Sequence, residues 1–274
     1  MITIPGSVDY AYLRRLVQDQ SQNVLDPSHD YLFEIRLACL LRKQEMDQID
    51  ELIQLLRAKR NPALERAVAE AMTVNETSFF RDERPFEILR NDLLAPLIQN
   101  RREKRTLRFW SAACSTGQEA YSIAMLIHEH FPDLAGWNLR IEGTDISNEV
   151  VERARAGRYH RIEISRGLPQ RKVVRFFDQS GELWTVKPEL RKLCKFRQAN
   201  LCVGHFPFTE KFDVIFLRNV MLYLSQETRQ RLLLKIHRML ASDGLLFLGS
   251  SEQPSDPSLW TTTLTGGTCY YRPR

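Results

Sequence analysis

From Leu107 onward, short apolar runs of strand length alternate with stretches of helix length, and few folds accept that pattern. Leu107–Ala112 reads as a strand, and Gln118 to about Phe131 as a helix. Leu139–Thr144 is a second strand, ended by Asp145, and Glu149–Ala156 a short helix. Strand-like pieces recur near Leu183–Val186 and Leu193–Gln198, then more strongly at Phe212–Leu217 and Leu245–Gly249. Between the last two the spacing predicts a helix over Gln226–Leu240, closed by Asp243-Gly244 as a C-cap. Thr261–Leu264 and Thr268–Tyr271 flank Gly266-Gly267, a hairpin signal. Strand and helix in alternation predict a parallel sheet covered by helices, with an antiparallel hairpin at its edge.

Ahead of this pattern the chain reads as helices alone. Asp9–Gln20 carries Tyr12, Leu13, Leu16 and Val17 at helical spacing. Asp30–Gln44 sets Leu32, Phe33, Leu37, Leu40 and Leu41 on one side, with Arg36, Arg42 and Lys43 on or beside the other. Met46–Lys59 repeats the pattern, and Pro62 opens a further helix, where an early proline is tolerated. The expected organisation is a helical domain over 1–74, a linker over 75–105 and a sheet domain over 106–274.

Composition narrows the class. At 43% hydrophobic and 27% charged, the chain is not disordered throughout. No apolar run approaches the roughly 18 residues of a membrane span. Asp9, Arg14, Arg15 and Asp19 interrupt any apolar core of a signal peptide, so a cytoplasmic protein without membrane insertion is expected. The five cysteines include no CxxC pair, so neither a disulfide framework nor a structural metal is expected; small buried thiols are. The formal charge of +5 is uneven, because residues 152–200 hold 13 basic and 5 acidic side chains. An anionic partner and a merely solvated basic face both remain open.

Ligands of such sheets bind outside the carboxyl ends of the strands. The first strand runs into Ser111-Ala112-Ala113-Cys114-Ser115-Thr116-Gly117, whose small side chains let a ligand approach the backbone. It is neither GxGxxG nor a P-loop, which disfavours pyrophosphate cofactors. Asp145, after the second strand, suits a ribose carboxylate and a helix N-cap equally well. Together, loop and carboxylate describe a nucleoside site with no required diphosphate, and S-adenosylmethionine is the commonest cofactor of that description. Asn75-Glu76-Thr77-Ser78-Phe79-Phe80-Arg81 adds polar side chains, an aromatic pair expected to plug the core, and an arginine. The strand Phe212–Leu217 delivers Arg218 and Asn219 to the same edge, with Tyr223 following.

Five blocks, NETSFFR (75–81), FWSAACSTGQEAYSIAM (109–125), GTDIS (143–147), ANL (199–201) and FDVIFLRNVMLY (212–223), together resemble the chemotaxis receptor methyltransferases, the CheR family. The resemblance implies an α/β fold. An N-terminal all-helical domain precedes a Rossmann-like methyltransferase sheet of seven strands, with a small antiparallel β-subdomain inserted at about 159–197. It implies a bacterial enzyme that moves a methyl group from S-adenosylmethionine to glutamate side chains of methyl-accepting chemotaxis receptors. By position it implies cofactor-site roles for Asn75, Thr77, Arg81, Ala113, Glu119, Asp145, Asn200, Leu201, Arg218, Asn219 and Tyr223. Arg81 and Tyr223 are further expected to fix the reacting carboxylate. One departure is Gln118-Glu119-Ala120, where members often read EEP; Glu119 is retained.

Partners follow from the same resemblance. The enzyme is expected to be a monomer recruited to membrane receptor arrays. The helix carrying Arg36, Arg42 and Lys43 is expected to dock on the receptors' cytoplasmic helical bundle, although a solvated helix face is the plainer reading of those cations. The turn Phe177–Leu183 is about three residues shorter than in members that grip a receptor's C-terminal pentapeptide, so a tether-independent enzyme is expected. A nucleic-acid methyltransferase would also use a basic insert, but no base-methylation motif is apparent and no nucleic acid is expected. A small-molecule methyltransferase would not need the helical front. A non-catalytic docking module would not need the retained site residues.

Overall fold

The computed structural model describes residues 8–274, and the chain divides into two units. One takes the chain up to Val74 together with Tyr223–Thr228; the other takes Asn75–Leu222 and Arg229–Arg274. Among the described residues no helix is long and apolar enough to cross a membrane.

Among its described residues the first unit carries four α-helices, α1 (Tyr10–Ser21), α2 (Tyr31–Lys43), α3 (Ile49–Ala58) and α4 (Pro62–Ala71). Two are capped as their sequences ask. Asp9 accepts from Tyr12 N ahead of α1, and Asn61 accepts from Leu64 N ahead of α4, where Pro62 takes the first position. Leu13 and Val17, Phe33 and Leu37, Leu52 and Leu56, and Leu64 and Val68 each stand four apart, so each pair falls on one helix face. Those faces bury one apolar core. The separate segment Tyr223–Thr228 joins through a bridge between Asn23 and Leu224.

The second unit opens with α5 (Arg84–Ile88), a π-type turn (Leu89–Leu93) and α6 (Leu94–Asn100). Residues 75–105, expected as a linker, thus contain helices, and Phe79, Phe86, Leu89 and Leu94 lie in this unit's core. Then follow β1 (Thr106–Ala112), α7 (Gln118–His130), β2 (Asn138–Asp145) and α8 (Asn148–Ala156). Next come β3 (Arg158–His160), α9 (Arg161–Ser165), α10 (Gln170–Phe176), β4 (Phe177–Ser180), β5 (Leu183–Val186) and α11 (Pro188–Arg191). The chain closes with β6 (Cys194–Gln198), β7 (Phe212–Leu217), α12 (Gln226–Met239), β8 (Leu240–Leu248), β9 (Trp260–Thr265) and β10 (Thr268–Pro273).

Seven strands form one sheet in the order β6-β2-β1-β7-β8-β10-β9. The first five run parallel, and β10 runs antiparallel to β8 and β9. The register sets the site. Ala112 pairs with both Thr144 and Leu217, Leu217 pairs with Leu248, and Asp145 pairs with Gln198. The parallel strands therefore finish level, and the residues just after them share one edge. The hairpin forms as expected, with Gly266 at φ 54 and Gly267 at φ 80, the backbone a two-residue turn of this kind demands.

Two expectations are corrected. α12 stops at Met239 and β8 starts at Leu240, so Asp243-Gly244 is no C-cap; the Asp243 carboxylate instead accepts from Arg101 and Asn100, and β8 bulges there against β7. The insertion also ends sooner than Arg197. The small sheet β3-β5-β4 occupies 158–186, whereas β6 pairs with β2 in the main sheet. A basic stretch rich in charge hides that boundary, because β6 carries Lys195 and Arg197 on its outer edge.

Candidate active site at the carboxyl edge of the sheet

The loop after β1 bends through three left-handed residues, Ala113 (φ 64), Ser115 (φ 48) and Gly117 (φ 95). At Gly117 a side chain has no room, since a Cβ would sit 2.9 Å from Ala154 Cβ. Neighbours pin the loop from every side. Cys114 N donates to Thr144 O (2.9 Å), Ser115 N to Asp145 Oδ2 (2.8 Å) and Ser115 Oγ to the Asn75 carbonyl (2.8 Å). Tyr159, from the inserted sheet, donates to Thr116 O at 2.7 Å. Its ring meets Phe79 edge-on at 5.0 Å, so the motif 75–81 is anchored by its buried first aromatic.

Asp145 ends β2 and is not the N-cap of α8, a place that Ser147 takes. One oxygen holds Ser115 N, and the other accepts from Ser147 N (3.1 Å) at the start of α8. Glu119, in the first turn of α7, accepts from Ser111 Oγ (2.7 Å) and from Arg218 Nη1 (3.1 Å). Arg218 is 2% exposed at its side chain; its Nη2 donates to the Asp82 carboxylate (2.5 Å) and to Arg81 O (2.9 Å). Phe80, Asp82 and Glu83 all have positive φ, and this strained turn brings Asp82 to the arginine.

The other expected residues fall in place unevenly. Asn200 accepts from Cys202 N and Val203 N, making a turn that buries Leu201, and Lys235 Nζ of α12 donates to Leu201 O (2.9 Å). Asn219 is left-handed (φ 58) directly after Arg218. Thr77 is half-buried and Asn75 exposed. Arg81 is half-buried and donates to Glu76 O at 2.8 Å. Tyr223 ends a short turn (Met221–Tyr223), 37% exposed, with its carbonyl accepting from Val24 N; it groups with the helical unit. Of the three cations expected to dock, Arg42 and Lys43 are exposed at the end of α2. Arg36 is not free, because its Nη1 donates to Met72 O (2.9 Å) beyond α4.

Sequence reasoning missed Glu252. It is buried, and its two oxygens accept from the backbone N–H groups of Asn219, Val220, Met221 and Gly249, at 2.7–2.9 Å. A carboxylate just beyond β8, the last parallel strand, was the available signal, the counterpart of Asp145 at the end of β2. The edge thus buries three carboxylates, Glu119, Asp145 and Glu252, and one arginine, Arg218, which pairs with Glu119. Burial, with Asp145 and Glu119 nearby, pushes the Cys114 thiol well up and keeps it protonated, so it is no nucleophile.

Residues 75–266 match the family model described as CheR methyltransferase, SAM binding domain. The chain belongs to the CheR methyltransferase family. It is 38% identical over 251 residues to the chemotaxis protein methyltransferase Cher2 of Pseudomonas putida, covering 90% of each chain. Chemotaxis protein methyltransferase 1 of Pseudomonas aeruginosa matches to the same degree, 38% over 251 residues and 90% of each. A chemotaxis protein methyltransferase of Vibrio parahaemolyticus is 38% identical over 247 residues, covering 89% of this chain and 88% of its own.

This CheR methyltransferase is an S-adenosylmethionine-dependent enzyme of chemotaxis. Its carboxyl edge fits that cofactor. A backbone loop with small side chains meets Asp145, and an edge that carries Glu119, Asp145 and Glu252 suits a ligand with a sulfonium and an ammonium.

Proposed function

We propose that the enzyme methylates glutamate side chains of methyl-accepting chemotaxis receptors, giving γ-methyl esters. The observation that carries this reading is the edge itself, where the pinned loop, Asp145 and the Glu119–Arg218 pair meet within a family match. A glutamate with a pKa of about 4.3 is already ionised at neutral pH, so the chain needs no general base. Bound S-adenosylmethionine supplies an electrophilic methyl: the carboxylate oxygen bonds to it as the C–S bond breaks, sulfur keeps the electron pair, and no proton moves.

The chain's task is therefore to bind, aim and dry. Asp145 takes the ribose hydroxyls, Asn200 and Leu201 shape the adenine end, and Asn75, Thr77, Ala113 and Glu119 hold the amino-acid end. Arg218 and Asn219 form the far wall. Arg81 and Tyr223 orient the carboxylate, without binding it so tightly that its ground state is favoured. Exclusion of water strengthens the attraction between carboxylate and sulfonium, whose charges cancel on transfer. Arg42 and Lys43 contact acidic positions of the receptor bundle, with Arg36 no longer among them. The tight β4–β5 hairpin, in which Ser180 pairs with Leu183, supports a tether-independent enzyme.

Radiolabelled methyl should enter a receptor cytoplasmic fragment as a base-labile ester. Label in nucleic acid but not in receptor overturns the reading. Arg81→Ala and Tyr223→Phe should each lower methylation at least tenfold while S-adenosylhomocysteine affinity, measured by calorimetry, changes less.

A further inference from the structure

Beyond Arg218 the carboxyl edge opens into a recess over the ends of β8 and β10, with a volume of about 340 Å³. That is room for roughly ten waters. Asp82, Arg218, Ser251, Gln253, Thr268 and Cys269 supply most of its polar wall, while Asp145, Asn200 and Leu201 take no part in it. The recess therefore lies to the β8 side of the nucleoside residues and shares Arg218 with the Glu119 ion pair.

Arg218 defines what the recess can hold. Its Nη1 and Nη2 are taken by Glu119, Asp82 and the Arg81 carbonyl, but its Nε is buried with no acceptor at all. A buried donor left unmade is costly, and a ligand oxygen arriving there would remove the cost. The ligand's charge matters as well. Two carboxylates, Glu119 and Asp82, outweigh the single positive charge of the guanidinium, so Nε can aim an incoming anion by a hydrogen bond but does not trap it by net charge. A transfer that turns an anion into a neutral ester needs this separation of aim from attraction. The rest of the wall includes the Glu252 carboxylate, whose oxygens are already taken by four backbone N–H groups, beside hydroxyl, amide, thiol and backbone groups, with Ser250 and Ser251 exposed at the rim.

We propose that this recess receives the receptor segment bearing the target glutamate. Arg218 Nε donates to the side-chain carboxylate, and the 250–253 turn and the start of β10 meet the flanking residues. The inference rests on the protein-glutamate reading above and adds the place where the substrate sits. It makes Ser250, Ser251, Gln253 and Thr268 specificity-determining, none of them among the residues assigned above to the cofactor.

Two measurements test it. Gln253→Trp fills the recess from an exposed turn. Its kcat/KM for a receptor cytoplasmic fragment should fall at least tenfold, while S-adenosylhomocysteine affinity stays within twofold. Independently, Cys269 reports occupancy. In a Cys39→Ser background, which removes the exposed thiol, alkylation of Cys269 by iodoacetamide is followed by peptide mass. Saturating receptor fragment should slow it at least fivefold, and S-adenosylhomocysteine alone should not. An unreactive Cys269, a Cys269 that receptor leaves unprotected, or a fully active Gln253→Trp enzyme overturns the assignment. A wild-type enzyme that leaves the receptor fragment unlabelled overturns the protein-glutamate reading instead, so the two failures are distinct.

Discussion

Glu252 gives both its oxygens to backbone N–H groups that the ends of β7 and β8 would otherwise leave unmade. Those bonds hold Asn219 in its left-handed turn and leave Gly249 no space for a side chain, since a Cβ there would lie 2.6 Å from the carboxylate. Glutamine keeps one acceptor oxygen and turns an NH2 toward two donors. Glu252→Gln should therefore destabilise the fold by about 3 kcal/mol. A thermal midpoint within a degree of wild type would show that the four bonds carry little. Asp145→Ala releases Ser115 N as well as any ribose contact, so it should weaken S-adenosylhomocysteine binding at least tenfold by calorimetry. Unchanged affinity would remove Asp145 from the site.

The elements are tied together on the side away from the site by Arg101, one residue past α6. Its guanidinium reaches Asp213 of β7 (2.7 Å) and Asp243 of β8 (2.5 Å), and Asp213 also accepts from Arg108 N of β1 (2.8 Å). The arginine's hydrogen bond holds the Asp243 carboxyl down at about 2, against an ordinary 3.8. A depressed carboxylate contributes stability that is complete above its unfolded value and lost as pH falls through the folded one. The stability gap between wild type and Asp243→Asn, read from urea midpoints, should be constant above about pH 5 and close toward about pH 2. A gap that does not vary with pH would mean the pair contributes nothing through charge. Arg101→Ala strands the mostly buried Asp213 and should cost about 3 kcal/mol.

At the scale of the molecule, charge is concentrated in one segment, the 13 basic residues of 152–200. Many of them are already paired within the chain, among them Arg153 with Glu163, Arg166 with Glu76 and Lys172 with Glu129. Lys192 and Lys195 are exposed at the β6 edge, where charge also discourages a further strand from pairing. Long-range attraction to an acidic receptor bundle would be screened by salt. Raising ionic strength from about 0.05 M to about 0.5 M should lower kcat/KM for receptor fragments severalfold, because the screening length shrinks to a few ångströms. S-adenosylhomocysteine affinity should barely change. Salt-independent methylation would leave the basic segment a solvated face. Titration with a free aromatic pentapeptide should give no heat, and micromolar binding would refute tether independence.

The sequence alone determined the alternation of strand and helix, the helical front and the hairpin at Gly266-Gly267, because each is written in local periodicity or in the backbone freedom of two glycines. It also named Asp145, Glu119 and Arg218, because motif residues at strand ends share one edge in any parallel sheet. Tertiary structure decided the rest, for one physical reason: a buried polar group must find its partner wherever the fold places one. Asp243 lies in a sequence that reads as a helix end, yet Arg101 from 142 positions earlier claims it. Arg36 sits on a helix face that reads as solvated, yet the end of α4 supplies carbonyls for it. Of Glu252's four donors only Gly249 is near in sequence; the other three lie at 219–221 and reach it only when β7 and β8 pair.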